Sequence, residues 1–160
     1  MKIQYQQVVA IQSSEYCNFI SANGSKKQTL CMTKPWLNIN EQWKTELVSD
    51  NSSTANIKFG DYVRFSSERY DSAYLSGYNG YSPMALTTMN APQDYERFKL
   101  VDPSNPSSTA EITTNDEFEL WLVNGDKYSV KVSGTEFEKS IPFVTSGGST
   151  FRLIQITVNA

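Results

Sequence analysis

Between residues 68 and 90 the chain reads ERYDSAYLSGYNGYSPMALTTMN, and within it Tyr70, Tyr78 and Tyr81 flank Asp71 and Asn79 in a glycine-rich loop. Those residue types suit a sugar. A tyrosine ring offers an apolar plate to the C–H face of a pyranose at small entropic cost, while Asp and Asn groups satisfy its hydroxyls. The competing reading is structural: Tyr74 and Leu75 are expected in the core, and Tyr78 then only covers a hairpin. Trp36, in the segment KPWLN, has no matching aromatic in the other repeats described below. It is either an exposed platform or a plug at an open barrel end, and it completes the candidate ligand-binding set. Trp121 follows Leu120 in an apolar strand and so points to the opposite face, where it is a third candidate platform.

Catalysis finds little to work with. The chain has no histidine, which removes the commonest general base, the usual zinc ligand and the physiological pH switch. No nucleophile beside a base and no carboxylate pair in a cleft can be assembled from the sequence, so neither catalytic residues nor enzyme activity is expected. Asp61, Asp116 and Asp126 lack the dense spacing that the oxygen ligands of calcium demand, and are read as turn formers. Neither a metal nor a cofactor is implied.

The charges, 14 Lys plus Arg against 17 Asp plus Glu, are scattered rather than gathered into a basic stripe. That pattern argues against nucleic acid as a partner. A membrane span is not expected, because no window of about 18 apolar residues occurs. The opening MKIQYQQVVAIQ lacks the basic region, long apolar stretch and cleavage site of a signal peptide. The expected location is cytoplasmic, or outside the cell after release without a classical signal peptide. Asn23-Gly24-Ser25 and Asn51-Ser52-Ser53 match the glycosylation pattern, but are read as chance in that setting.

The elements that must position these residues are short strands. At 160 residues, with 9 Tyr, 8 Phe and 3 Trp, the chain has the size of one domain over residues 1–160 and favours strands over helices. Strands are expected at 8–12, at 62–66 with Tyr62, Arg64 and Ser66 on one face, and at 117–123 with Phe118, Leu120 and Leu122 on one face. Glycine, proline, asparagine and serine punctuate them, and residues 49–55 and 102–108 are expected as connections between units.

Three markers repeat with one period. Trp43-Lys44 recurs as Phe98-Lys99-Leu100-Val101 and as Phe151-Arg152-Leu153-Ile154, at intervals of 55 and 53 residues. Phe19-Ile20-Ser21 recurs as Tyr74-Leu75-Ser76 and more loosely as Tyr128-Ser129-Val130. Val9 aligns with Tyr62 and Phe118. These set repeats near 5–50, 57–104 and 110–160, each too small to bury its own apolar face.

Three such units, each opening on a paired-hydrophobic strand, passing an aromatic-Leu-Ser strand and closing on aromatic-basic-Leu-Val, resemble the all-β β-trefoil. The middle unit, with Tyr62-Val63-Arg64-Phe65-Ser66-Ser67, Tyr74-Leu75-Ser76 and Glu96-Arg97-Phe98-Lys99-Leu100-Val101, is similar to the repeat of fascin-like members. Ricin-type lectins of that fold close their repeats on Gln-any-Trp. Here Glu41-Gln42-Trp43 carries the Gln one place late, and the other repeats have Phe98 and Phe151 in place of Trp. β-Trefoils serve as lectins, actin-bundling domains, protease inhibitors and growth factors, so the resemblance by itself fixes no function; the Tyr/Asn/Gly loop favours a lectin-type, non-enzymatic binding module whose partner is a glycan or glycoprotein. The alternative is a protein-binding trefoil, either actin-associated or a protease inhibitor.

The two cysteines are expected on core strands. A hairpin tip at Asn23-Gly24-Ser25 would pair residues whose numbers sum to about 48, setting Cys17 opposite Cys31. That arrangement fits either a disulfide or two free thiols.

Overall fold

The structure, a computed structural model, describes residues 1–22, 32–34, 37–70, 73–77, 85–88, 96–122, 129–132, 139–140, 143–144 and 147–156. Six strands form its wall: β1 (Val8–Ser13), β4 (Trp43–Leu47), β5 (Tyr62–Ser67), β8 (Phe98–Val101), β9 (Phe118–Leu122) and β13 (Thr150–Gln155). Each pairs with two of the others, in the order β1, β4, β5, β8, β9, β13 and back to β1. The sheet is thereby closed, which leaves the barrel without a free edge.

The register is the same in all three units. Within a unit, Val9 faces Trp43, Val63 faces Phe98 and Phe118 faces Phe151. Between units, Thr45 faces Phe65, Leu100 faces Leu120 and Leu153 faces Ile11. Alternate residues point inward because side chains change face at every step of a strand. The interior is therefore filled by Val9, Ile11, Trp43, Val63, Phe65, Phe98, Leu100, Phe118, Leu120, Phe151 and Leu153, all fully buried. Phe65 packs on Phe98, and Phe118 on Phe151, with centroids 6.1 and 6.4 Å apart.

One end of the barrel is closed by a ring of main-chain hydrogen bonds. Ile57 N–H donates to the carbonyl of Ile3, Ile112 N–H to that of Ile57, and Ile3 N–H to that of Ile112, at 2.8, 2.8 and 3.2 Å. A second ring surrounds it, from Tyr5, Phe59 and Thr114 to the carbonyls of Ala55, Ala110 and Met1. The connections at 49–55 and 102–108 are thus ordered approaches to this floor. Ser53 and Ser108 hydroxyls accept from the N–H groups of Ala55 and Ala110 in matching turns.

At the other end each unit adds strands: β2 (Phe19–Ser21) and β3 (Met32–Lys34), β6 (Ala73–Ser76) and β7 (Ala85–Thr88), and β10 (Ser129–Val130) with β12 (Phe143–Val144). A two-residue strand, β11 (Lys139–Ser140), joins β3. A closed six-stranded barrel capped by three such additions under pseudo-threefold symmetry is a β-trefoil, and the all-β expectation holds. The described residues also contain a short 3₁₀ turn, Ile39–Glu41, which the sequence did not announce. Asn38 caps it, and Glu41 reaches back to the Asn38 N–H at 3.0 Å.

Two alignments shift by one residue. Val63, not Tyr62, is the inward partner equivalent to Val9 and Phe118, so Tyr62 stands outside. Ser129, not Tyr128, matches Phe19 and Tyr74, since these three pair with Trp121, Gln12 and Ser66. The cysteine register also differs. β2 and β3 pair Phe19 with Lys34, Ile20 with Thr33 and Ser21 with Met32, so paired numbers sum to 53 and Cys17 is not set across from Cys31. Cys17 is exposed, in a turn ahead of β2 with φ 59°, rather than on a core strand. Cys31 lies outside the described residues.

Candidate functional site

A threefold repeat contains its own control. Whatever all three units carry at one position serves the fold, and whatever one unit alone carries is free to serve something else. The aromatic that opens β4 and β8 and is the second residue of β13 belongs to the first kind. So do the turn carboxylates: Asp61 and Asp116 accept from the N–H groups of Lys58 and Thr113, as Gln7 accepts from Gln4 at the matching place. The turn-former reading of Asp61 and Asp116 is correct, and Asp126 lies outside the described residues. Asp61 also accepts from the buried Tyr5 hydroxyl at 2.6 Å. Burial first, and that carboxylate second, push the Tyr5 phenol far above its ordinary range.

Two buried carboxylates also belong to the fold. Glu41 and Glu96 stand two residues before Trp43 and Phe98, the place that Gln takes in the Gln-any-Trp motif, and Ser149 stands there before Phe151. Ser21 and Ser76 hydroxyls donate to Glu41 and Glu96 respectively, the latter at 2.6 Å. In the third unit Ser149 Oγ instead accepts from the Val132 N–H at 2.8 Å. Each arrangement ties the barrel to its cap through a satisfied buried polar group.

The outer wall at β5, β8 and β9 breaks the repeat. Tyr62 occurs where the other units have Val8 and Glu117, and Trp121 where they have Gln12 and Ser66. Tyr62 faces Lys99, and Lys99 faces Trp121, across three adjacent strands. Tyr62 is 50% exposed, and the Lys99 ammonium lies 6.0 Å from its ring centroid. Trp121 is half-buried, on the face opposite Phe118, Leu120 and Leu122, as its strand position requires.

Beyond Trp121 three more departures meet. Glu119 replaces Ala10 and Arg64, Ser129 replaces Phe19 and Tyr74, and Gly148 replaces Asn40. Glu119 Oε2 accepts from Trp121 Nε1 at 3.2 Å and lies 3.4 Å from Ser129 Oγ. This carboxylate fixes the orientation of the indole. Gly148 permits the arrangement: a Cβ there would meet Ser129 Cβ at 2.4 Å and Glu119 Oε2 at 3.3 Å. The assembly is a plate, a cation and a second plate in a row, with one plate held by a carboxylate. It suits the apolar face and the polar substituents of a sugar. No group of three metal-ligating side chains occurs among the described residues.

Of the sequence-derived set, Asp71, Tyr78, Asn79, Tyr81 and Trp36 lie outside the described residues. Tyr70 is half-buried and packs against the core, with the Arg69 guanidinium 5.0 Å over its ring, so it has less free ring face than Tyr62. Tyr74 is a correction. It stands half-buried on the outer face while its neighbour Leu75 fills the core. Burial, then the charge of Glu46, hold its phenol above the usual range, against the opposing charge of Arg64. Glu46 and Arg64 pair at 2.9 Å. Tyr62 was missed as a site residue because the alternation of Tyr62, Arg64 and Ser66 announces a face but not which end of it is open.

No known protein family and no curated protein sequence matches the chain. Solved structures do match in fold. An SDF2-like protein from Arabidopsis thaliana superposes with a TM-score of 0.74 at 9% identity, covering 100% of both chains. ThreeFoil, a designed threefold-symmetric protein, gives 0.70 at 11% identity, covering 93% of this chain and 99% of its own. A ricin B-like lectin from Macrolepiota procera, solved in complex with lactose, gives 0.65 at 12% identity, covering 98% and 100%. At such identities the likeness establishes the β-trefoil and nothing finer. No helix among the described residues is long and apolar enough to cross a membrane.

Proposed function

We propose that the chain is a carbohydrate-binding module with no catalytic step of its own, and that the outer wall of β5, β8 and β9 is where a glycan rests. One observation carries the reading: Tyr62 and Trp121 flank Lys99 at positions where the other two repeats build the same strands with Val, Glu, Gln and Ser. The fold does not require these aromatics, and outward-facing rings beside fixed polar groups are what a pyranose needs. Likeness in fold to a lectin solved with lactose supports the same class of ligand. Tyr70, Asp71, Tyr78, Asn79, Tyr81 and Trp36 are proposed as further contacts on the strength of their residue types.

A glycan array probed with the parent protein, with Trp121→Ala and with Tyr78→Ala/Asn79→Ala tests this. Selective binding that Trp121→Ala abolishes is the expected result. Binding lost only in the loop variant moves the site to the second repeat's loop. A silent array counts against the reading and directs attention to a protein partner.

A further inference from the structure

We propose, building on that reading, that the glycan received at this wall is acidic, with Lys99 holding its carboxylate or sulfate. The repeat again supplies the argument. Each unit places one basic residue after its marker aromatic: Lys44, Lys99 and Arg152. In the first unit Lys44 Nζ lies 3.8 Å from Glu68, and in the third Arg152 pairs with Glu117 at 2.7 Å. In the second unit the position equivalent to Glu117 is Tyr62, and Lys99 has no carboxylate within ion-pair distance among the described residues. Its ammonium lies instead over the Tyr62 ring.

The nearby carboxylates are committed elsewhere. Asp61 faces the Tyr5 hydroxyl and the Lys58 N–H. Glu119, two residues along β9 from Trp121, accepts from the indole and faces Ser129. A cation whose two counterparts are neutralised by the protein, set between two aromatic plates on a chain of net charge −3, is matched by an anion carried on a ring that can lie against Tyr62 or Trp121. Lysine acts here as a compact point charge with three donors. Neutral hydroxyls would gain less from it than a carboxylate or sulfate.

The test is titration calorimetry of the full chain with three probes: lactose, lactose bearing a terminal sialic acid, and lactose bearing a sulfate. Parent, Lys99→Gln and Lys99→Arg are compared at low and high salt. The expected result is about tenfold tighter binding of an acidic probe than of lactose, since a charge-assisted hydrogen bond is worth roughly that factor or more. The preference should weaken in salt, vanish in Lys99→Gln and survive in Lys99→Arg. Comparing the sialylated with the sulfated probe identifies which anion is preferred. Equal affinity for neutral and acidic probes, indifferent to Lys99→Gln, overturns the acidic preference and leaves the glycan reading standing. A preference that persists in Lys99→Gln also overturns it, by placing the anion elsewhere. Binding of none of the probes overturns it as well, and the array then judges the wider reading separately.

Discussion

Gly148 has no room for a Cβ, and replacing it by alanine gives a cost that can be worked from the geometry. The added Cβ would fall 2.4 Å from Ser129 Cβ, against the ~3.5–4.0 Å at which two carbons rest. The shortfall exceeds about 1 Å, and both atoms lie on or beside strand backbone, so relief requires β10 or the segment before β13 to move. Overpacking of this kind costs about 1–3 kcal/mol. For a chain of this size that is a fall in melting temperature of about 2–12 °C, at about 2–4 °C per kcal/mol. Ser129→Gly removes the opposing Cβ and should restore part of the loss in the double variant, beyond its own cost of about 1 kcal/mol as a glycine in a strand. Gly147→Ala is the control. Nothing lies within 4 Å of its Cβ, but its φ of +71° makes alanine cost about 1–2 kcal/mol through the backbone alone, and Ser129→Gly should not rescue it. Thermal and urea unfolding of the set would measure the cycle. Gly148→Ala melting within about 1 °C of the parent, or additive losses in the double variant, would refute the packing argument.

Three further outcomes follow from the same structure. Ser76→Ala removes a 2.6 Å hydrogen bond to buried Glu96 and should cost about 1.5–3 kcal/mol in urea unfolding, the range for hydrogen bonds to charged groups; a change below about 0.5 kcal/mol would contradict the role given to the pair. Glu111 accepts from Lys2 and Asn56, and those bonds hold its carboxyl below the usual range. Its contribution is therefore present above the unfolded value of about 4.3 and lost as pH falls further, so Glu111→Gln should flatten the acid limb of melting temperature against pH. The Tyr5 phenol is shifted the other way. Its contribution is complete below the unfolded value of about 10 and declines as pH rises past it, and Tyr5→Phe should remove that alkaline decline if the hydroxyl stays protonated in the fold.

Much of the barrel was legible because its signals were strong locally. Phe118, Leu120 and Leu122 alternate cleanly, and the marker that closes each unit combines an aromatic with a base at intervals of 55 and 53 residues. The single-residue shift at Tyr62 arose because the segment YVRF offers an apolar side chain to either face, and only the pairing of Val63 with Phe98 decides between them. The cysteine register failed because Asn-Gly is a strong turn signal, whereas the ladder pairs Phe19 with Lys34, Ile20 with Thr33 and Ser21 with Met32. The floor was invisible for a different reason. Ile3, Ile57 and Ile112 are single apolar residues among polar ones, and their bonds join segments more than fifty residues apart; only their shared period pointed to them. Glu41 and Glu96 look like surface charges in sequence, although their common offset from Trp43 and Phe98 was a readable clue. Of the candidate site, Trp121 was legible from its strand phase. That Lys99 has no carboxylate within ion-pair distance among the described residues was not, since it emerges only when three equivalent positions are compared in space.

The most direct test of the binding wall follows the indole N–H signals of Trp36, Trp43 and Trp121 by nuclear magnetic resonance as the tightest glycan from the array is titrated in. The Trp121 signal, whose Nε1 is held by Glu119 at 3.2 Å, should move in a saturable way. That of Trp43, fully buried with its Nε1 donating to the Ile20 carbonyl at 3.1 Å, should stay in place. A Trp121 signal unmoved at saturating glycan would contradict the account.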